Sequence, residues 1–258
     1  MSQPASIQLL PLKGGDVNVM DVGVGPTVVA IHGAPGGVQD FHRLAHALGG
    51  SARLVAVDLP GFGRSPLAPG ERATIERCVE AVREVIGAVA GGPVVLLGHS
   101  YGGHIALRVA DRERERVRGV AVVASAGLSP HAPLRRTPFG LVRWLLTTPL
   151  RAVFLPLLKR AFKASGLPAH DEAVTATVSL LPDTDFAGMR ALVARLDLPC
   201  LAVWATDDPL IEAPISQALA EALPPGPRVA MDGGHGLPIT RARPLAEALI
   251  PFVHSVLG

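Results

Sequence analysis

The 258-residue sequence has few of the features that mark disulfide-bonded, metal-binding or disordered proteins. Its two cysteines, Cys78 and Cys200, lie far apart without metal-ligand spacing, so we expect buried free thiols rather than a disulfide or ligands. Only 18% of the residues are charged and 48% are hydrophobic. This composition excludes a disordered chain and suits one domain with a deep core, or one domain that carries an insertion.

Net charge is also low, at +2, which disfavours nucleic acid as a partner. Residues 1–4 show no basic region followed by an apolar segment, so no secretory signal is visible and we expect a cytoplasmic protein. The nature of the protein must therefore be sought in its motifs.

The most informative motif is a glycine-rich turn around Ser100. The apolar run 93–97 leads into Gly-His-Ser-Tyr-Gly-Gly at 98–103, and helical spacing of apolar residues follows it. This is the strand–turn–helix context of a Gly-x-Ser-x-Gly nucleophile elbow, in which glycines relieve a cramped serine backbone. The amide of Tyr101 then lies at a helix N-terminus, where it can donate to a negatively charged oxygen.

Other short apolar runs alternate with helical segments along the chain. We predict strands at 6–12, 16–22, 27–31, 55–57, 93–97, 117–123, 200–204 and 228–231, with helices at 74–89 and 241–257. The first two strands form a hairpin at the sheet edge. Strands separated by helices predict right-handed crossovers and a mostly parallel, doubly wound α/β sheet.

This alternation stops at about residue 127, and amphipathic segments broken by prolines replace it until about 186. We predict that 127–186 is an inserted helical cap and that 1–126 with 187–258 is the core. Ala34, Ser100, Asp207–Asp208 and His235 lie in loops that follow the carboxyl ends of four predicted strands. In an open parallel sheet, ligands bind at that edge. Pro35 has no N–H, so the amide of Ala34 is the expected second oxyanion donor.

Several stretches together resemble the α/β-hydrolase fold of the capped type, over essentially the whole chain. They are His32–Gly33 with Pro35–Gly36, the run 58–65 (DLPGFGRS), the elbow 98–103, the acidic loop at 207–208 and the Gly234–His235 turn. The family order of nucleophile, acid and histidine implies Ser100, Asp208 and His235 as the catalytic residues. Ala205 departs from the family, which often has glycine three residues before the acid.

Some residues compete with this assignment. Asp207 is the alternative acid, although the resemblance favours the second aspartate and leaves Asp207 as a turn cap. His254 also follows the acidic loop, but its helix predicts a solvated or capping role. His99 and His104 flank the elbow on a strand and a helix, so we expect His235 to be the base.

A serine nucleophile predicts hydrolysis of carboxylic esters through an acyl-enzyme, on a small-molecule substrate, with no metal or organic cofactor implied. Two alternatives stay open on the same three residues, C–C bond hydrolysis or a lyase reaction, as does a receptor with little turnover. Related C–C hydrolases usually carry Asn at the position of His99.

Residues 131–170 contain no acidic residue and seven basic ones. The basic residues are Arg135, Arg136, Arg143, Arg151, Lys159, Arg160 and Lys163. One interpretation is a solvated outer face above an apolar roof. The other is that the basic face recruits a largely apolar substrate with an anionic end, or rests on an anionic membrane surface. Pro149 and Pro156 exclude a membrane span in this segment.

Overall fold

The computed structural model describes residues 6–130, 141, 144–145, 148–164 and 171–258, which include a sheet of eight strands. The spatial order is β1-β2-β4-β3-β5-β6-β7-β8. Strands β1 and β2 pair antiparallel, β2 is also antiparallel to β4, and all other pairs are parallel. The strands are β1 (Ser6–Leu10), β2 (Val17–Val22), β3 (Thr27–Ile31), β4 (Arg53–Val57), β5 (Val94–His99), β6 (Val117–Val123), β7 (Cys200–Ala205) and β8 (Arg228–Met231).

Helices cover both faces of this sheet. They are α1 (His42–Leu48), α2 (Ile75–Val89), α3 (Tyr101–Arg112), α4 (Arg151–Ala164), α5 (Asp171–Leu180), α6 (Phe186–Arg195), α7 (Ala213–Ala222), α8 (Leu237–Thr240) and α9 (Ala242–Leu257). Single 3-10 turns at Val38–Phe41 and Leu181–Asp183 precede α1 and follow α5.

The central strand β5 has apolar residues on both faces because both of its faces are covered by helices. Val94 and Leu96 are fully buried in the cluster formed with α2 and α3, whereas Val95 and Leu97 are fully buried in the cluster formed with α1 and α9. Each side chain of β5 therefore meets an apolar layer, whichever face of the sheet it occupies. The sequence prediction of a doubly wound α/β sheet is confirmed.

The predicted elements match the structure closely. The hairpin lies at the sheet edge, and the predicted helices correspond to α2 and α9. Helices α1, α6, α7 and the single-turn helix α8 were not predicted from the sequence. Both cysteines are free and buried, and burial raises the pKa of each thiol to about 12.

Helices α4 to α6 lie between β6 and β7, residues 141 and 144–145 are also helical, and no strand occurs in the described part of that stretch. That residues 127–186 form an inserted cap with these boundaries stays a prediction. Arg135, Arg136 and Arg143 lie outside the described residues, as do the side chains of Arg151, Lys159 and Lys163. Among the seven basic residues of 131–170, Arg160 is the one whose side chain the structure describes, and it is exposed. Within the described ranges, every helix is too short or too polar to cross a bilayer.

Candidate active site

Ser100 occupies the turn between β5 and α3 with a strained backbone, at φ 54° and ψ −122°. A Cβ at Gly98 would lie 2.5 Å from the Gly102 carbonyl oxygen, and one at Gly102 would lie 2.3 Å from the Ile31 carbonyl oxygen. Both glycines are therefore required by close backbone packing. The predicted sharp turn is present, and it presents the serine at the carboxyl end of β5.

Ser100, His235 and Asp208 form a continuous chain of hydrogen bonds. The Ser100 Oγ lies 2.8 Å from His235 Nε2, and His235 Nδ1 lies 2.8 Å from Asp208 Oδ2. Because the carboxylate can only accept, Nδ1 carries the ring proton, which leaves Nε2 to accept from the serine hydroxyl. This tautomer suits the imidazole to remove a proton from Ser100.

Asp208 is held rigidly for this contact. Its side chain is 1% exposed, and its second oxygen, Oδ1, accepts from the amides of Leu210 at 2.8 Å and Ile211 at 2.9 Å. Both carboxylate oxygens thus have partners, as a buried carboxylate requires. The loop after β7 fixes the carboxylate that faces the histidine.

The adjacent Asp207 makes different contacts. Its Oδ1 accepts from the amides of Gly233 and Gly234, each at 2.9 Å. These bonds lower the pKa of the Asp207 carboxyl. Asp207 thereby ties the loop after β7 to the loop that carries His235, without a hydrogen bond to the ring.

His99 also supports the histidine loop. Its Nε2–H donates to the His235 carbonyl oxygen at 2.8 Å, and the two ring centroids lie 5.2 Å apart. Burial, followed by the proximity of His235, lowers the pKa of His99 to about 4. The ring is therefore neutral near neutral pH and does not repel a proton arriving on His235.

The other candidate bases bond elsewhere. His104 Nε2 lies 2.9 Å from the Gly127 carbonyl oxygen, and His254 Nε2 lies 3.0 Å from that of Ser51 on the exposed side of α9. The structure therefore brings His235, and neither of these two, to Ser100.

Buried polar residues fix the loop after β3 that leads to Ala34. The His32 Nδ1–H donates to the Gly33 carbonyl at 2.6 Å, and Nε2 accepts from the Leu59 amide at 2.9 Å. Burial lowers the pKa of His32. Asp58 accepts from the Val38 amide at 2.7 Å, so this loop is attached to the one after β4. Sequence reasoning assigned a structural role to the DLPGFGRS loop but none to His32.

The two predicted oxyanion donors come from different segments, the loop after β3 and the start of α3. Ala34 follows β3 and lines the cavity beside the serine. Tyr101 is the first residue of α3, so its amide precedes the intrahelical hydrogen bonds. The Tyr101 hydroxyl reaches away to the Leu180 carbonyl and the Thr184 hydroxyl, each at 3.3 Å.

A cavity of about 380 Å³ opens onto Ser100 and His235. The loop after β3 and helix α5 contribute most of its remaining described lining, which includes Asp40 and Glu172. No group of three His, Cys, Asp or Glu side chains in the described ranges could hold a metal ion. The site is a pocket whose lining includes the hydrogen-bonded pair of Ser100 and His235.

Comparison with known proteins agrees with this architecture. The chain is 29% identical over 261 residues to a pimeloyl-[acyl-carrier protein] methyl ester esterase of Aeromonas salmonicida, which covers 92% of this chain and 99% of that protein. It is 32% identical over 129 residues to a 2-hydroxy-6-oxo-2,4-heptadienoate hydrolase of Pseudomonas putida. That match spans 48% of this chain and 47% of the relative.

A solved structure of a thermophilic esterase from Thermogutta terrifontis superposes with a TM-score of 0.75 at 22% identity. The superposition covers 98% of this chain and all of that one, a likeness of fold. The sequence model of the alpha/beta hydrolase family matches residues 28–248, which include every strand from β4 to β8 and the whole site. The chain therefore belongs to the alpha/beta hydrolase family.

Proposed function

We propose that this protein hydrolyses carboxylic esters or related acyl compounds of small molecules, with Ser100 as the nucleophile. The supporting observation is the pair of 2.8 Å hydrogen bonds that joins Ser100 to His235 and His235 to Asp208. Serine is a weak nucleophile until a base removes its proton, and this geometry supplies one.

In the acylation step, Ser100 Oγ attacks the carbonyl carbon while its proton moves to His235 Nε2. The carbonyl oxygen becomes an oxyanion, and the amides of Ala34 and Tyr101 stabilise it. Asp208 stabilises the imidazolium. Collapse of the intermediate breaks the bond to the alcohol oxygen, which takes the proton from Nε2.

In the second step, water attacks the acyl-enzyme and gives its proton to His235. The same oxyanion donors stabilise the second intermediate, and its collapse returns the proton to Ser100 Oγ. The products are a carboxylic acid and the regenerated enzyme. These steps need no cofactor.

C–C bond hydrolysis is the alternative, and the similarity to a 2-hydroxy-6-oxo-2,4-heptadienoate hydrolase of Pseudomonas putida keeps it open. The ester reaction is favoured because His99 stands where C–C hydrolases of this fold usually have Asn, and because the esterase match extends over nearly the full chain.

Turnover of activated esters and thioesters of increasing acyl length, beside a vinylogous diketo acid, tests the proposal. We expect a burst of alcohol release equal to the enzyme concentration with the esters. Absence of ester turnover, together with cleavage of the diketo acid, would refute it in favour of the alternative.

A further inference from the structure

The charged groups of the cavity point to the kind of substrate it accepts. Among the described residues that line it, the two that carry a formal charge are Asp40 and Glu172, both carboxylates. Asp40 comes from the 3-10 turn after β3, and Glu172 from α5. Two separate elements thus bring negative charge to one pocket.

Neither carboxylate has a cationic partner in the described part of the chain. Asp40 is half-buried, and its carboxylate accepts a hydrogen bond from the Gly37 amide at 3.2 Å. Burial raises the pKa of Asp40, because removal from water disfavours its charged form. A cation entering the pocket would offset that cost.

A second, independent acceptor lines the same cavity. His99 is 8% exposed, and its Nε2 is used by the His235 carbonyl, so Nδ1 carries a lone pair. That atom is buried without a hydrogen-bond partner in the described ranges. A buried acceptor without a donor is unfavourable, and a ligand N–H would satisfy it.

The glycines of the loop after β3 leave room between these acceptors. A Cβ at Gly33 would lie 3.4 Å from both His99 Nδ1 and Ser100 Oγ. One at Gly36 would lie 2.6 Å from Asp40 Oδ2 and 2.8 Å from the Gly33 carbonyl oxygen. A side chain at Gly33 or Gly36 would therefore crowd Ser100, His99 or Asp40, whereas Ala34 and Pro35 between them add only small apolar groups to the lining.

We propose that the cavity selects acyl compounds that carry a primary ammonium group, whose N–H groups bond to Asp40, Glu172 and the free nitrogen of His99. This inference rests on the proposed function and assigns a substrate class to the same site. It opposes the anionic substrate considered from residues 131–170, so one experiment separates the two hypotheses.

The test compares three activated esters of equal length, whose acyl chains end in ammonium, methyl or carboxylate, at several chain lengths. We expect kcat/KM to be about tenfold higher for ammonium than for methyl at low salt, and lowest for carboxylate. Preference for carboxylate or methyl at every length would overturn the proposal.

Charge-neutral variants locate the preference. Asp40→Asn keeps an oxygen for the Gly37 amide, and Glu172→Gln changes an exposed helical side chain, so both should fold. We expect the two changes together to bring the ammonium-to-methyl ratio within about twofold of unity. Glu247→Gln on α9 removes the same charge outside the cavity and should leave the ratio intact. A ratio that survives the double change refutes the assignment.

Binding separates this inference from the hydrolytic one. The three acyl groups are presented as methyl ketones, which cannot be hydrolysed, to Ser100→Ala in a calorimeter. Selective binding of the ammonium ketone supports the inference even if no ester is turned over. Hydrolysis of the neutral ester with equal binding of all three ketones refutes the inference and leaves the proposed function standing.

Discussion

Asp207 and Asp208 are adjacent carboxylates with separate tasks. Asp208 bonds to the His235 ring and two amides of its own loop, whereas Asp207 bonds to two amides of the histidine loop. Asparagine at either position keeps an acceptor oxygen. At position 208 it removes the negative charge that faces His235, which in the proposed mechanism stabilises the imidazolium.

We predict that Asp208→Asn lowers kcat about 10⁴-fold, because the ring loses its required tautomer and the imidazolium its counter-charge. Asp207→Asn should cost less than about tenfold, since an Asn oxygen can still accept from Gly233 and Gly234. Ester turnover of both variants at matched unfolding midpoints measures this. Equal losses, or a larger loss at Asp207, would reverse the choice of acid.

The buried ring of His99 predicts a pH dependence of stability. Its pKa is about 4 in the folded protein against an ordinary 6.5, so between these values the unfolded chain binds the proton and the folded chain does not. The stability that this neutral ring contributes is complete above pH 6.5 and falls as the pH drops towards 4.

We therefore expect wild type to lose about 3 kcal/mol more unfolding free energy than His99→Gln between pH 6.5 and 4. Glutamine cannot titrate, and its amide N–H can replace the donor to the His235 carbonyl. Urea unfolding of both proteins across this range makes the comparison. Parallel pH curves would contradict it.

At the scale of elements, the elbow depends on the contact of β3, β5 and α3. The Gly102 backbone lies against the Ile31 and His32 carbonyls, both of which are backbone atoms that cannot rotate away. A Cβ at Gly87, near the end of α2, would lie 3.3 Å from the Arg116 guanidinium, and this flexible group can move.

We expect Gly102→Ala to destabilise the protein by about 2 kcal/mol or more, since the backbone must shift. Gly87→Ala should stabilise it by about 0.5–1 kcal/mol, because alanine is the better helix former. Urea unfolding midpoints measure both changes. A tolerated alanine at 102 would mean that the elbow is not closed by backbone packing.

Across the whole molecule, periodicity and motifs predicted the sheet, the hairpin edge and the meeting of Ser100 with His235. The predictions succeeded because short apolar runs bounded by turn residues, such as 94–97, are typical of strands buried on both faces, and because the carboxyl ends of parallel strands share one edge. The strand order could not be predicted. The lengths of the crossover connections are compatible with several strand orders. Nothing in the sequence indicates that β4 lies between β2 and β3 in the sheet.

The supporting contacts were also out of reach of the sequence. Asp40, Glu172 and His99 line one pocket because a 3-10 turn, a helix and a strand that are distant in sequence pack together, and no sequence spacing indicates that. The hydrogen bonds of His32 and Asp58 depend likewise on contacts between the loops after β3 and β4. Sequence therefore predicts which residue types meet at the edge, and folding determines their partners.

Charge distribution over the molecule gives one more prediction, on residues outside the described ranges. If the basic segment is a solvated face, reversing Arg135, Arg136 and Arg143 should change kcat/KM by less than about threefold for esters of either charge. A salt-sensitive loss confined to anionic esters would instead assign these arginines to substrate recruitment.

Covalent labelling would show whether Ser100 is the nucleophile. A serine-directed phosphonate is added to the wild-type protein, and the labelled peptide is identified by mass spectrometry, with His235→Ala as the control. We expect one label per chain, on Ser100, at a rate that falls by orders of magnitude when His235 is replaced by alanine. A label on another serine, or equal labelling of the control, would contradict it.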